Sequence, residues 1–285
     1  MDNITTAKRA EILMCALPYI QKYANKIVVI KYGGNAMINE ELKHAVMGDI
    51  ALLSLINIKV VLVHGGGPEI STMLTRVGKK GEFVNGLRVT DRETADIVQM
   101  VLAGKVNKSL VSLLGTIGCK AIGLSGMDGQ MITSSPMNSH LGYVGTVDKI
   151  DPAPILDVLE KGYVPVISTL GTDDKGNTYN INADTAAAHI AGALGAECLI
   201  SMTDISGLLR DVNDPDSLIS KVTPEDAEKL KEEGIISGGM IPKVDCCLEA
   251  LEKGVKKVFI IDGRIMHATL IELLTDEGIG TMFTN

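Results

Sequence analysis

Six apolar runs punctuate the chain, at Ile27–Ile30, Val60–Val63, Ala121–Leu124, Val164–Ile167, Cys198–Met202 and Val258–Ile261. Helical patterns fill the gaps: Glu40–Leu55, Glu69–Val77, Arg92–Leu114, Asp184–Leu194, Glu225–Glu233, Met240–Lys253 and His267–Leu274. This alternation predicts an α/β fold with a mostly parallel sheet and helices on both faces. Two turn-rich stretches, Glu82–Thr90 with Asn85-Gly86 and Gly171–Ile181 with Asp174-Lys175-Gly176-Asn177, predict hairpins projecting from that sheet. Thr223-Pro224-Glu225-Asp226 reads as a helix start, with a capping threonine and a proline in the first turn. Ahead of the first strand, Ile12, Leu13, Ala16, Leu17, Ile20 and Tyr23 form one helical face, kinked by Pro18. That helix packs either on its own domain or, as an oligomerisation arm, on a neighbouring copy. The pattern divides the chain into this helix (1–25), a first lobe (26–195) and a second lobe (196–285), where a new βα series begins.

Two of the apolar runs end in glycines just before a helical pattern: Lys31-Tyr32-Gly33-Gly34-Asn35 and His64-Gly65-Gly66-Gly67-Pro68. Glycines there let backbone N–H groups approach an anion, and the helix N-terminus adds positive potential. Two such nests, with Lys31 beside the first, point to phosphate.

Composition narrows the reading. The 285 residues are 46% hydrophobic with 3% aromatic and 30 glycines, the palette of a buried parallel sheet. A net charge of −8 argues against nonspecific binding to nucleic acid or anionic membranes, so positive potential for an anionic substrate must be local. Cys15, Cys119, Cys198, Cys246 and Cys247 lack metal-ligand spacing and read as reduced thiols of a cytoplasmic protein. No apolar run is expected to span a bilayer, and the N-terminus is not a convincing signal peptide.

Lys243, in Gly238-Gly239-Met240-Ile241-Pro242-Lys243, opens a helix, where a cation opposes the macrodipole unless an anion lies nearby. Arg88 falls in the first hairpin and offers a planar fork for carboxylate or phosphate, or a surface salt bridge. Asn180, Asn182 and Asp184 follow a strand-like alternation. Asp184 serves either as a helix cap or as a carboxylate held between two lysines. His64 reads as a satisfied core histidine, and Asp204, after a buried strand, as a nucleotide contact or a turn former. There is no G-x-x-x-x-G-K-[ST] loop and no H-R-D or D-F-G set.

Taken together, Lys31-Tyr32-Gly33-Gly34-Asn35-Ala36-Met37, His64–Pro68, Gly86-Leu87-Arg88-Val89-Thr90-Asp91, Tyr179–Asp184 and Gly238–Lys243 resemble the acetylglutamate kinases of the amino acid kinase family, in order over essentially the whole chain. The resemblance implies a three-layer αβα sandwich, with an N-terminal lobe for N-acetyl-L-glutamate and a C-terminal lobe for MgATP. It also implies phosphorylation of the substrate's side-chain carboxylate, the second step of arginine biosynthesis. By similarity, Lys31 and Lys243 stabilise the transferring phosphoryl group and Asp184 orients them. Gly66, Gly67, Arg88, Asn180 and Asn182 would hold acetylglutamate, while Gly33, Gly34 and Asp204 would meet ATP. Magnesium would arrive with the nucleotide, since no metal ligand set is evident. Met127 stands where many relatives have lysine.

The segments Ala16-Leu17-Pro18-Tyr19-Ile20 and His267–Thr281 resemble arginine-inhibited members, which are hexamers built as trimers of dimers. That implies inhibition by L-arginine, with Tyr19, Glu272 and Gly280 as candidate contacts. A PII protein as a partner has no support in the residues. Two alternatives stay open: a related kinase acting on carrier-linked aminoadipate, and an arginine-sensing protein with vestigial catalysis.

Overall fold

The computed structural model describes residues 5–285, apart from the side chain of Asn35; the start of the expected 1–25 segment lies outside the described residues. In chain order the elements are α1 (Thr6–Cys15), α2 (Leu17–Tyr23), β1 (Ile27–Tyr32), α3 (Glu40–Leu55), β2 (Lys59–His64), α4 (Gly67–Arg76), β3 (Phe83–Val84), β4 (Leu87–Arg88), α5 (Arg92–Gln99) and α6 (Asn107–Thr116). They continue with β5 (Ala121–Ser125), β6 (Ile132–Pro136), β7 (Gly145–Ile150), α7 (Ala153–Glu160), β8 (Val164–Ser168), β9 (Leu170–Thr172), β10 (Thr178–Asn180) and α8 (Ala183–Ala193). The last are β11 (Cys198–Thr203), β12 (Lys221–Val222), α9 (Pro224–Glu232), α10 (Ile241–Glu252), β13 (Lys257–Asp262), α11 (Ala268–Leu274) and β14 (Thr281–Phe283).

The central sheet has eight strands in the order β12-β14-β13-β11-β1-β2-β8-β5. All its pairings are parallel except β13 with β14. The six expected strands are its six inner and right-hand members, and helices cover both faces. Side-chain alternation explains the two cores. Val28, Ile30 and Tyr32 pack with Val60, Leu62, Cys198 and Ile200 against α3 and α6. Val29, Val61, Val63 and Leu199 point the other way, against α8 and α10. Lys31 shares the parity of Val29, so the pleat delivers it to the α8–α10 face.

Both expected hairpins form. β3 pairs with β4, and β9 with β10 as part of a second, four-stranded sheet in the order β10-β9-β6-β7. The Thr223 cap is a full capping box with Asp226. At the N-terminus the single kinked helix is instead two helices that meet at Ala16. Pro18 has no N–H to give to a preceding carbonyl, so it sits in the first turn of a new helix.

The expectation that no run could span a bilayer needs correction. Arg92–Thr116 is a 25-residue helix in which one 18-residue stretch reaches a mean hydropathy of 1.3, long and apolar enough to cross a membrane by length and composition alone. Its Val98, Val101, Leu102, Val106, Leu110 and Leu114 belong to the core beneath the sheet, which accounts for that hydropathy. Inside it, Met100–Val106 winds as a π-helix that joins α5 to α6.

Candidate functional site

Asp184 lies in the first turn of α8, where a carboxylate suits the positive end of the helix. Its Oδ1 is 2.8 Å from Lys31 Nζ, at the end of β1, and its Oδ2 is 3.3 Å from Lys243 Nζ, in the first turn of α10. The anion that relieves Lys243 of its unfavourable place on α10 is therefore the protein's own carboxylate. Burial alone would push the Asp184 carboxyl up; the two ammonium groups outweigh it and hold the carboxyl far below its ordinary value. Lys31 also donates to the Met202 carbonyl at 2.8 Å.

Asp184 is not the cap of α8. Asn182 takes that place, its side-chain oxygen accepting from the N–H groups of Asp184 (2.9 Å) and Thr185 (3.2 Å). The strand ends at Asn180, so the alternation read through Asn180, Asn182 and Asp184 stops there and each residue has its own task.

Beside the lysine–aspartate–lysine bridge opens a cavity of about 200 Å³, lined among others by Gly66, Gly67, Arg88, Asn180 and Asn182. The structure thus brings together all five residues expected to hold acetylglutamate. Arg88, at the end of the β3–β4 hairpin, donates through Nη2 to the Gly67 carbonyl (3.0 Å) and Ser71 Oγ (2.8 Å), and its guanidinium carbon lies over the Phe83 ring, 4.6 Å from its centre. Its Nη1 is buried with no partner among the described residues. A buried donor without an acceptor is costly, and a ligand carboxylate would satisfy it. Asn180 Nδ2 donates to Thr90 Oγ1 at 3.3 Å, which ties it to the base of the same hairpin.

On the other side, Gly34 and Asp204 meet across the carboxyl ends of β1 and β11. A Cβ on Gly34, whose φ is +68°, would stand 2.5 Å from Asp204 Oδ1, so any other residue there would strain the backbone and displace the Asp204 carboxylate. Gly33 lies against Lys31 Nζ, 3.5 Å from where its own Cβ would be. Among the described residues, no three His, Cys, Asp or Glu side chains cluster to hold a metal ion.

Tyr19, Glu272 and Gly280 line a separate cavity of about 330 Å³ between α2 and α11. Tyr19 donates to the Asp276 carboxylate, and Glu272 Oε2 accepts from the Ile279 N–H at 2.9 Å. Three supporting residues escaped the sequence reading. Ser201 pairs with Lys31 in register and donates to Asp184 Oδ1 at 3.1 Å; its signal was a lone hydroxyl inside an apolar strand. Phe83 and Ser71, which hold Arg88, gave none.

The chain matches the amino acid kinase family over residues 26–262. It is 56% identical to an acetylglutamate kinase of Brachyspira hyodysenteriae, covering 99% of both chains. It is 52% identical to another from Methanothrix thermoacetophila, covering 98% of this chain and 99% of that one. Its fold matches the N-acetylglutamate synthase of Neisseria gonorrhoeae solved with coenzyme A and N-acetyl-glutamate (TM-score 0.85, 27% identity), covering 97% of this chain but only 63% of the synthase. With its sheet order, glycine turns and full-length likeness all in agreement, the chain belongs to the amino acid kinase family and, within it, to the acetylglutamate kinases.

Proposed function

We propose that Lys31, Lys243 and Asp184 are the catalytic centre for the reaction of this family, ATP-dependent phosphorylation of the side-chain carboxylate of N-acetyl-L-glutamate in arginine biosynthesis. The observation that carries this assignment is the buried carboxylate bridging two lysines, one residue along α8 from Ala183 in the wall of the glycine-lined cavity. A buried ion pair is weak evidence for stability, but it fixes charge in place.

The nucleophile is a carboxylate, already ionised at neutral pH, so no general base is needed. One of its oxygens bonds to the γ-phosphorus of MgATP as the bond to the ADP oxygen breaks. The obstacle is repulsion between two anions. Lys31 and Lys243 offset it from two sides, and one shared carboxylate leaves the trio with a net positive charge. Arg88 offers its guanidinium to the α-carboxylate, and the N–H groups of Gly66 and Gly67 face substrate oxygens. Asn180 holds the substrate from the hairpin base, and Asn182 contributes by starting α8 at the cavity. Gly33, Gly34 and Asp204 contact the nucleotide, whose magnesium enters as part of the substrate. On this reading residues 26–195 carry acetylglutamate and 196–285 carry MgATP. The five unpaired thiols support the cytoplasmic setting expected from the sequence.

Inhibition by L-arginine and hexamer formation through residues 1–25 belong to the same proposal. They are supported by the cavity that joins Tyr19, Glu272 and Gly280, and by α1, which buries none of its residues in this chain. The acceptor is tested by offering N-acetyl-L-glutamate, N-acetyl-aminoadipate and L-glutamate with MgATP and trapping acyl phosphate as the hydroxamate. Turnover of the first should exceed the others at least about tenfold; preference for the aminoadipate would overturn the assignment.

A further inference from the structure

His64 is fully buried at the end of β2, immediately ahead of Gly65-Gly66-Gly67, and is not among the residues that line the cavity. Its Nδ1 lies 2.8 Å from the Gly65 carbonyl oxygen, and its Nε2 lies 3.1 Å from Asn107 Nδ2. Asn107 begins α6, is equally buried, and sends the same Nδ2 to two backbone carbonyls, Leu124 (3.1 Å) and Val166 (2.8 Å). A nitrogen that faces two carbonyls can only be the donor end of the amide. A carbonyl oxygen only accepts, so the neutral ring carries its proton on Nδ1 and donates it to Gly65, leaving Nε2 bare toward Asn107. Burial pushes the histidine down to about 4, so the ring is neutral under ordinary assay conditions.

The consequence lies in the next peptide. The Gly65–Gly66 bond is trans, so its N–H points opposite to its C=O. Drawing the Gly65 carbonyl onto the imidazole sets the Gly66 N–H on the far side of that peptide from the ring, within the Gly65–Gly67 stretch that lines the cavity. We propose that His64, in the Nδ1–H tautomer its contact with the Gly65 carbonyl requires, is a positioning residue that aims the Gly66 N–H at an oxygen of the reacting group. This rests on the reading of the cavity as the acetylglutamate site. A neutral ring does the work without bringing an uncompensated charge into a dry core. The parity that delivers Lys31 to one face of the sheet delivers His64 to the other, where α6 supplies Asn107.

Two near-isosteric variants separate aiming from filling. His64→Asn places an amide N–H where Nδ1 was and keeps the bond to Gly65; His64→Gln places it where Nε2 was and loses that bond. Both remove ring volume, so thermal melting of the two should fall alike. Loss of one oriented donor at a developing charge lowers kcat by about 100-fold. His64→Gln should show a loss of that order, with KM for ATP unchanged, while His64→Asn stays within about tenfold of the wild type. Equal kcat in the two variants would overturn the proposal. Should both fail to fold, ¹⁵N spectra of the wild-type imidazoles decide it: His64 should show a protonated Nδ1 and a bare Nε2, and the opposite tautomer would overturn it. An Arg88→Ala variant with unaltered KM for acetylglutamate would sink the cavity assignment, and the proposal with it.

Discussion

Replacing Asp184 with asparagine keeps its volume, removes its charge and leaves Lys31 and Lys243 facing each other without an anion between them. The two ammonium groups then repel, and neither is held toward the transferring phosphoryl group. We expect kcat to fall at least about 100-fold while KM for acetylglutamate changes little, measured by steady-state kinetics. The same residue carries a pH signature. Its folded carboxyl titrates far below the ordinary 3.8, so the stability it contributes is fully present above that value and is lost as pH falls through the folded one. Acid melting curves should show wild-type stability dropping below about pH 4, and a shallower decline for Asp184→Asn. Ser201, which donates to the same carboxylate, shows how this residue is held from below.

Among the elements, the β3–β4 hairpin bears most on the proposed substrate cavity, which Phe83, Leu87 and Arg88 line. Phe83 is largely exposed, yet its ring carries the Arg88 guanidinium. An exposed aromatic in that position is explained by the cation it holds. Phe83→Ala should raise KM for acetylglutamate about fivefold with kcat near wild type, the loss of roughly one cation–π contact; an unchanged KM would remove the hairpin from substrate binding. The hairpin was legible because Asn85-Gly86 supplies the two positive φ angles its turn requires. The inner strands were legible too, because strands buried on both faces read as unbroken apolar runs. β6 and β7 were not: Ile132-Thr133-Ser134-Ser135-Pro136 has hydroxyls and a proline where an apolar pattern would be sought, and its ladder carries a register shift at Thr133/Ser134. β12 and β14 are too short to carry a period. The site was legible wherever a charge or glycine broke an apolar context, as at Lys31 and Gly34. Its supports were not, since Asn107 and Ser201 act through tertiary contacts that no local pattern announces; at Asn182 the residue was legible but its capping role was read onto Asp184.

For the whole molecule, one continuous sheet runs through the β1–β11 pairing, the seam between the two proposed lobes, and that seam is where the bridge forms. Lys31 comes from one side of it, and Lys243, through α10, from the other. Ligands of open α/β sheets gather at the carboxyl ends of the strands, and here the glycine turns after β1 and β2 lie at that edge. The chain is anionic overall, so on the proposed mechanism the attraction for two anionic substrates must be local, to these lysines and Arg88. The N-terminal helices stand apart from this machinery: Ile12, Leu13 and Met14 of α1 are exposed. Removing residues 1–23 should leave kcat within about twofold of the full chain, reduce the particle mass in light scattering and abolish inhibition by arginine. A truncated enzyme still inhibited by arginine would contradict the regulatory reading.

The measurement that bears most directly on the central claim is hydroxamate trapping of acyl phosphate from N-acetyl-L-glutamate and MgATP, run on the wild type and on Lys243→Ala at equal folded concentration. The account predicts rapid product from the wild type and a rate at least about 100-fold lower from the variant, whose Asp184 keeps its bond to Lys31. A variant that turns over as fast as the wild type would contradict it.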